Sequence, residues 1–245
     1  LQPLDRRDDG TPDTFDVVLA GGGLSLIYAA ALARAGVRVC VFDRRAIGCG
    51  HREWNISRAE LSPLSASGLF TADEVAALLR MQYRVGICRF GDGADHPVRD
   101  VLDCVIDADT LLHALRDKAV AAGATLIPYH TLAGYRVDRD GVTVAIDPVI
   151  LPGTAASAQA GARSQGRRYL RARLLIDALG AHSPHARFDL ICPTVGGVMD
   201  DLIPGPGRDQ IDPSVGEILI TTEGVEEGEG AAQGGLLHGG DHLVL

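Results

Sequence analysis

Three consecutive glycines near the start of the chain are the residues whose type and spacing are best suited to chemistry. Gly21–Gly23 lie between an apolar run, 16–20, and an alanine-rich stretch, 24–35, that predicts a helix. A pyrophosphate needs backbone N–H groups that point at it and a helix N-terminus behind it, and glycine lets the backbone approach closely. The segment therefore predicts a phosphate-binding turn, with contacts from Gly21, Gly22, Gly23, Leu24 and Ser25.

An acidic residue stands where a dinucleotide-binding β-α-β unit requires one. Gly36 should stop the helix, and the apolar run 37–42 then predicts a second strand that ends at Asp43. A carboxylate there accepts hydrogen bonds from the adenosine ribose hydroxyls, and we include the adjacent Arg44 among the cofactor contacts. Asp43 disfavours the 2′-phosphate of NADP, although Arg44 and Arg45 keep that cofactor open.

One position departs from the usual G-x-G-x-x-G fingerprint. Leu26 occupies the place of the third glycine, and its bulk is expected to push the helix slightly away from the strand. The turn also does not separate FAD from NAD, because both molecules present the same ADP half. The rest of the chain must decide between them.

A second motif favours FAD. The segments 16–23 and 39–44, followed by 172–183, resemble the two FAD motifs of glutathione-reductase-type flavoproteins. The resemblance implies that the second motif closes over FAD beside the first turn, with Asp177 and Gly180 at the matching positions. Asp177 would contact the ribityl chain or cap its own turn by accepting backbone N–H bonds.

A narrower resemblance concerns the substrate. Residues 50–58, 191–198 and 216–222 resemble lycopene-cyclase-like flavoproteins of photosynthetic organisms, which implies a hydrophobic isoprenoid or similar small substrate and leaves NAD(P)H open as reductant. Segment 105–116 is similar to the part that such enzymes place between the motifs, with Ala108 where many carry an arginine. The acidic catalytic motif of the cyclases has no match before Leu245, so no catalytic residue is assigned.

Other residues allow two interpretations each. Arg52 offers a planar fork of donors suited to phosphate, and a solvated loop arginine is an equal alternative. Trp54 could stack on the isoalloxazine, but core packing is favoured. The five cysteines lack C-x-x-C spacing, which argues against a zinc site, a disulfide framework and disulfide reductase activity, and we predict no metal site: Cys40, Cys49, Cys88, Cys104 and Cys192.

Composition limits the partners. The chain has 245 residues, 46% of them hydrophobic, and a formal charge of -9, so a general attraction to nucleic acid is excluded. No apolar run is long enough to span a membrane, and peripheral membrane contact stays open. An odd number of cysteines without C-x-x-C spacing indicates a soluble protein of a reducing intracellular compartment. For a photosynthetic eukaryote, that compartment includes the plastid as an alternative. The oligomeric state is not determined.

The pattern predicts an α/β fold: a Rossmann-like FAD/NAD(P)-binding domain with a parallel sheet, a β-hairpin insertion and an incomplete substrate domain. We expect a disordered lead-in over 1–14, an FAD-binding domain over 15–190 that contains a flexible insertion at 152–168, and the start of a truncated substrate domain over 191–245. No clean periodic pattern is found over 46–58. We expect a loop between that stretch and a helix over 71–80, then a helix over 107–122, a strand over 125–128, a hairpin over 135–146 and a strand over 169–178.

Three functional hypotheses follow. The first is a lycopene-cyclase-like FAD enzyme, in which the flavin carries the chemistry and the protein supplies orientation and a dry pocket. The second is an NAD(P)H-dependent FAD monooxygenase that uses the same N-terminal half. The third is a degenerate, non-catalytic nucleotide-binding fragment, motivated by Leu26 and Ala108.

Overall fold

The computed structural model describes residues 12–50, 54–90, 93–149, 166–187, 201–205 and 210–220. The strands are β1 (Asp13–Thr14), β2 (Val17–Ala20), β3 (Val39–Phe42), β4 (Trp54–Ile56), β5 (Leu79–Gln82), β6 (Val85–Phe90), β7 (His96–Val98), β8 (Cys104–Ile106), β9 (Thr125–Ile127), β10 (His130–Asp138), β11 (Gly141–Pro148), β12 (Arg168–Ala172), β13 (Leu174–Asp177) and β14 (Val215–Ile220). The helices are α1 (Leu26–Arg34), α2 (Arg58–Ala66), α3 (Ala72–Leu78) and α4 (Ala108–Ala121), with a 3₁₀ turn at Gly180–His182.

Two compact units make up the chain, and each combines two stretches of sequence. Unit 1 contains residues 1–51 and 108–189, and unit 2 contains residues 52–107 and 190–245. The grouping differs from the predicted continuous domain over 15–190, because strand pairing within unit 2 joins β6 to the distant β14. Most of the predicted insertion at 152–168 lies outside the described residues.

Unit 1 is built on a four-stranded parallel sheet with the order β13-β2-β3-β9. The helices α1 and α4 pack against each other, and α1 also contacts β3. Every residue of β2 and β3 is buried, as expected for strands of a parallel sheet that is covered on both faces. The predicted Rossmann-like α/β fold is confirmed.

A second sheet, with the order β1-β12-β11-β10, covers the opposite side of the core in unit 1. The predicted hairpin forms from β10 and β11, which pair antiparallel from His130↔Pro148 to Asp138↔Gly141. Side chains from both sheets form one apolar cluster, whose buried members are Val18, Ala20, Cys40, Phe42, Ile127, Val142, Val144, Ile146, Leu170 and Ala172.

The chain passes from the second sheet to the parallel sheet at two neighbouring points. Asp16 follows β1, and Arg173 separates β12 from β13; the carbonyl of Asp16 accepts hydrogen bonds from the N–H groups of Arg173 (3.1 Å) and Leu174 (3.2 Å). The predicted single strand over 169–178 is therefore two strands in different sheets. The prediction of a disordered lead-in over 1–14 is wrong at its last two residues, because Asp13–Thr14 form a strand that pairs with β12.

Unit 2 contains two three-stranded sheets, with the orders β4-β8-β5 and β14-β6-β7. The capping-box helix expected after Thr71 is confirmed as α3: the N–H of Glu74 donates to the Thr71 hydroxyl at 3.1 Å, and the N–H of Thr71 donates to the Glu74 carboxylate at 2.7 Å. The loop expected between 58 and 71 is wrong, because Arg58–Ala66 form α2. Within the stretch that lacks a periodic pattern, Trp54–Ile56 form a strand that pairs with β8. In the described ranges no helix is long and apolar enough to cross a membrane.

Candidate functional site

Gly21 begins the turn after β2, and its geometry requires glycine. Its φ is +110°, a region that favours glycine, and a Cβ there would collide with the carbonyl oxygen of Ala178. Its N–H donates to the carbonyl of Phe42 at 2.8 Å. Gly21 is therefore fixed by backbone from β3 and from the second motif.

Gly22 is held by the residue that was predicted to bind the ribose. Its N–H donates to Oδ2 of Asp43 at 2.6 Å, while Oδ1 of Asp43 accepts from the N–H of Arg45 at 2.8 Å. A Cβ on Gly22 would lie 2.9 Å from Cγ1 of Ile47. Asp43 therefore braces the turn itself, a role that the sequence analysis did not predict.

Gly23 differs from the two glycines before it. Among the residues that the structure describes, no heavy atom lies within 4 Å of the position that a Cβ would take, so none of them fills the space in front of Gly23. Within the described ranges, the backbone N–H groups of Gly23 and Leu24 have no hydrogen-bond acceptor. The turn thus presents unused donors at the N-terminus of α1, which is where an anion binds most favourably.

The side chains after the glycines complete the turn. The buried hydroxyl of Ser25 donates to the carbonyl of Gly21, so this side chain supports the backbone, whereas the Leu24 side chain is 52% exposed. Leu26, at the place of the third glycine, is fully buried and belongs to the core-facing side of α1. The departure from the fingerprint is therefore accommodated inside the core.

The second predicted motif lies next to the first. Asp177 is paired with Ala20 in the parallel sheet, and the N–H of Ala178 donates to the carbonyl of Ala20 at 2.8 Å. The carboxylate of Asp177 accepts from the N–H of Leu179 (3.0 Å) and from the hydroxyl of Ser183 (2.5 Å). Asp177 thus caps its own turn, which was one of the two predicted roles, and Gly180 follows with φ +57°.

The remaining predicted residues have different outcomes. Arg44 is half-buried beside Asp43, and Arg52 lies outside the described residues. Trp54 is half-buried in β4 of unit 2, paired with Ile106. Burial raises the pKa of the Cys40 thiol to about 12, because the charged thiolate is unfavourable inside the core.

The sequence analysis missed the loop that supports the turn from the side of β3. Ile47 and Gly48 are buried, and the N–H of Gly48 donates to the carbonyl of Gly22 at 3.1 Å. The sequence signal for this contact was a single apolar residue, Ile47, between Ala46 and Gly48. The lack of a periodic pattern in this stretch hid its contact with the turn.

Comparison with known proteins reveals the fold. No protein-family model and no curated protein matches the chain. Solved structures do match: the myxobacterial chondrochloren halogenase CndH, described as a variant of FAD-dependent halogenases, has a TM-score of 0.52 and 17% identity over 68% of this chain and 37% of its own. The flavin-dependent monooxygenase PieE, solved with FAD and substrate, has a TM-score of 0.51 and 21% identity over 69% of this chain and 31% of its own.

A third structure matches a larger part of the chain. The geranylgeranyl bacteriochlorophyll reductase-like protein from Thermoplasma acidophilum has a TM-score of 0.56 and 15% identity over 86% of this chain and 51% of its own. The chain therefore spans about a third to a half of the length of these three structures. Together with the parallel sheet and its glycine turn, the comparisons show that this chain has the Rossmann-like fold found in FAD-dependent enzymes.

Proposed function

We propose that the chain binds FAD through the turn Gly21–Gly23 and serves as the cofactor-binding part of an FAD-dependent oxidoreductase. The observation that carries this proposal is the contrast among the glycines. Side chains at Gly21 and Gly22 would collide with protein atoms, whereas the space at Gly23 is open and faces unused N–H donors. A turn whose first two glycines are packed against protein atoms and whose third glycine faces open space fits a pyrophosphate.

Residues of both motifs fit the rest of the cofactor. Asp43 accepts one N–H at each carboxylate oxygen, and each oxygen has a second lone pair that is available to a ribose hydroxyl. The turn from Asp177 to Gly180 lies beside Gly21 and provides the second contact region for FAD. Leu24, Ser25 and Arg44 complete the proposed set, with the N–H groups of the first two directed to phosphate. When bound, FAD supplies the redox chemistry, while the protein supplies position and electrostatics.

For the substrate, we favour a hydrophobic isoprenoid or a similar molecule, as proposed from the lycopene-cyclase-like resemblance. The reductase-like structure supports this choice, because its match extends over a larger part of the chain than the halogenase and monooxygenase matches do. The monooxygenase structure supports the alternative, an NAD(P)H-dependent oxygenation. Oxygen consumption driven by NADPH in the FAD-loaded chain separates the two proposals.

The test of FAD binding starts with the purified chain and its visible spectrum. Oxidised flavin absorbs where no side chain does, and denaturation followed by mass spectrometry distinguishes FAD from FMN. We expect FAD, either retained on purification or taken up after incubation with excess cofactor. Absence of any flavin after incubation, in a chain with native circular dichroism, contradicts the proposal and leaves the degenerate fragment in its place.

A further inference from the structure

The loop between Arg44 and Gly50 is fixed against α4. Gly48 has φ +79°, and a Cβ there would lie 2.8 Å from the Cβ of Arg116, so backbone and helix are in close contact. The N–H of Gly50 donates to Oδ1 of Asp109 at 2.8 Å. The loop therefore has a defined position relative to the first turns of α4.

This packing brings together three side chains that bind metals. Cys49 on the loop and Asp109 and His113 on α4 each offer one ligand atom, and these atoms all lie within 4.8 Å of one another. Asp109 and His113 are separated by four positions, so they share one face of the helix. The cluster draws on one cysteine and two residues that are distant in sequence, which is why cysteine spacing gave no sign of it.

We propose that Cys49, Asp109 and His113 bind Zn²⁺, and that the ion ties the loop to α4. Ligand atoms around a tetrahedral zinc are about 3.3–3.8 Å apart, given metal–ligand distances of roughly 2.0–2.3 Å. Exposed side chains reach this spacing by small rotations: Cys49 is exposed, and the side chains of Asp109 and His113 are 56% and 39% exposed. Three protein ligands leave a fourth position to water.

The chemistry of the three donors favours zinc over Mg²⁺ and Ca²⁺. Thiolate and imidazole are ligands for zinc and other transition metals, whereas Mg²⁺ and Ca²⁺ prefer oxygen throughout. A thiolate and a carboxylate carry two negative charges, which a dication neutralises. A histidine that binds zinc commonly donates its other ring N–H to a carbonyl or a carboxylate. Nδ1 of His113 lies 2.8 Å from the carbonyl oxygen of Asp109 and 3.3 Å from its carboxylate Oδ2, so Nε2 is the ring nitrogen proposed to bind the ion.

Cobalt is the probe that tests this site, because Co²⁺ takes the place of Zn²⁺ and absorbs light. We expect the reduced 245-residue chain to bind one Co²⁺, with thiolate-to-cobalt charge-transfer absorption in the near ultraviolet that disappears when Zn²⁺ is added. Cys49→Ser should abolish that band. His113→Gln and Asp109→Asn should weaken cobalt binding by at least about tenfold, and the asparagine keeps the oxygen that accepts from Gly50.

The controls use the same residue types outside the cluster. Cys88, in β6, and His96, in β7, are not among the three clustered residues, so Cys88→Ser and His96→Gln should leave the cobalt band unchanged. A band that persists in Cys49→Ser, a band lost in Cys88→Ser, or a native chain that binds no cobalt overturns the proposal. Zinc should also raise the midpoint of thermal unfolding of the parent chain but not that of Cys49→Ser.

Discussion

The carboxylate of Asp43 accepts a hydrogen bond from the backbone N–H of Gly22 at 2.6 Å, so the end of β3 and the glycine turn after β2 are directly joined. A second bond, from the N–H of Arg45 at 2.8 Å, fixes the other carboxylate oxygen. The acidic residue that the fingerprint assigns to the ribose therefore also holds the glycine turn in its observed shape. Its loss should affect the fold and the cofactor together.

Replacing Asp43 tests this double role. Asp43→Ala removes the acceptor of two N–H groups, one of them on the buried Gly22, and we expect it to lower the free energy of unfolding by about 1–3 kcal/mol. Asp43→Asn keeps one acceptor oxygen and should cost less. Urea denaturation followed by circular dichroism measures both variants, and equal stability of Asp43→Ala and the parent chain would show that the brace is unimportant.

Gly21→Ala should destabilise the fold even without cofactor. The substitution places a Cβ against the carbonyl of Ala178 and forces φ +110° on an L-residue. Backbone strain of this kind costs about 1–3 kcal/mol before the collision is counted. Denaturant unfolding of the cofactor-free variant checks the expectation. A variant as stable as the parent chain would contradict the described position of the second motif beside Gly21.

Acid should weaken one ion pair of the second sheet. Two hydrogen bonds from Arg171, at 2.7 Å and 2.6 Å, hold the pKa of Asp138 well below its ordinary value of 3.8. A carboxyl with a lowered pKa in the folded state stabilises the protein above the ordinary pKa, and this contribution is lost as the pH falls through the folded pKa. The difference in stability between the parent chain and Asp138→Asn should therefore be constant near neutral pH and decrease below about pH 4. A difference that does not change with pH would contradict the pairing.

Alkali should lower the stability of the folded chain through the buried thiol of Cys40. Burial raises the pKa of this thiol from 9.0 to about 12, so between these values the unfolded chain loses a proton that the folded chain keeps. Stability contributed by the protonated thiol is thus complete below about pH 9 and declines as the pH rises toward 12. We expect a smaller decline for Cys40→Ala than for the parent chain. Identical declines in the parent chain and Cys40→Ala would contradict the burial of Cys40.

The regular elements of unit 1 could be predicted because each has a local signal. The strand β2, the helix α1 with Gly36 after it, the helix α4 and the hairpin turned at Asp140 all follow from periodicity and turn residues.

The helix α2 was missed although Ser57 and Glu60 have capping-box spacing, because Pro63 interrupts the helical pattern. In the structure the N–H of Ser57 donates to the Glu60 carboxylate at 2.9 Å.

The parts that were not predicted depend on contacts between distant residues. The stretch 169–178 is continuous in β propensity, and its division at Arg173 is imposed by the two hydrogen bonds to Asp16. Likewise, the fingerprint identifies Asp43 as a ligand of ribose but carries no information on its bond to Gly22. Sequence patterns indicate which residues form the site, whereas the pairing of their polar groups follows from tertiary structure.

Binding of FAD to Gly23→Val is the most direct test of the central claim, that the open side of the turn holds the pyrophosphate. A Cβ at Gly23 meets no atom of the described residues, so the variant should fold like the parent chain but occupy the space of the phosphates. Gly166→Val is the matched control, because a Cβ at Gly166 likewise meets no atom in the described part of the chain and Gly166 lies outside the turn. We predict that equilibrium dialysis shows FAD binding at least about a hundredfold weaker, roughly 2.7 kcal/mol, for Gly23→Val, with native circular dichroism and unchanged binding for Gly166→Val. Equal affinity of Gly23→Val and the parent chain for FAD would contradict the assignment of this turn as the cofactor site.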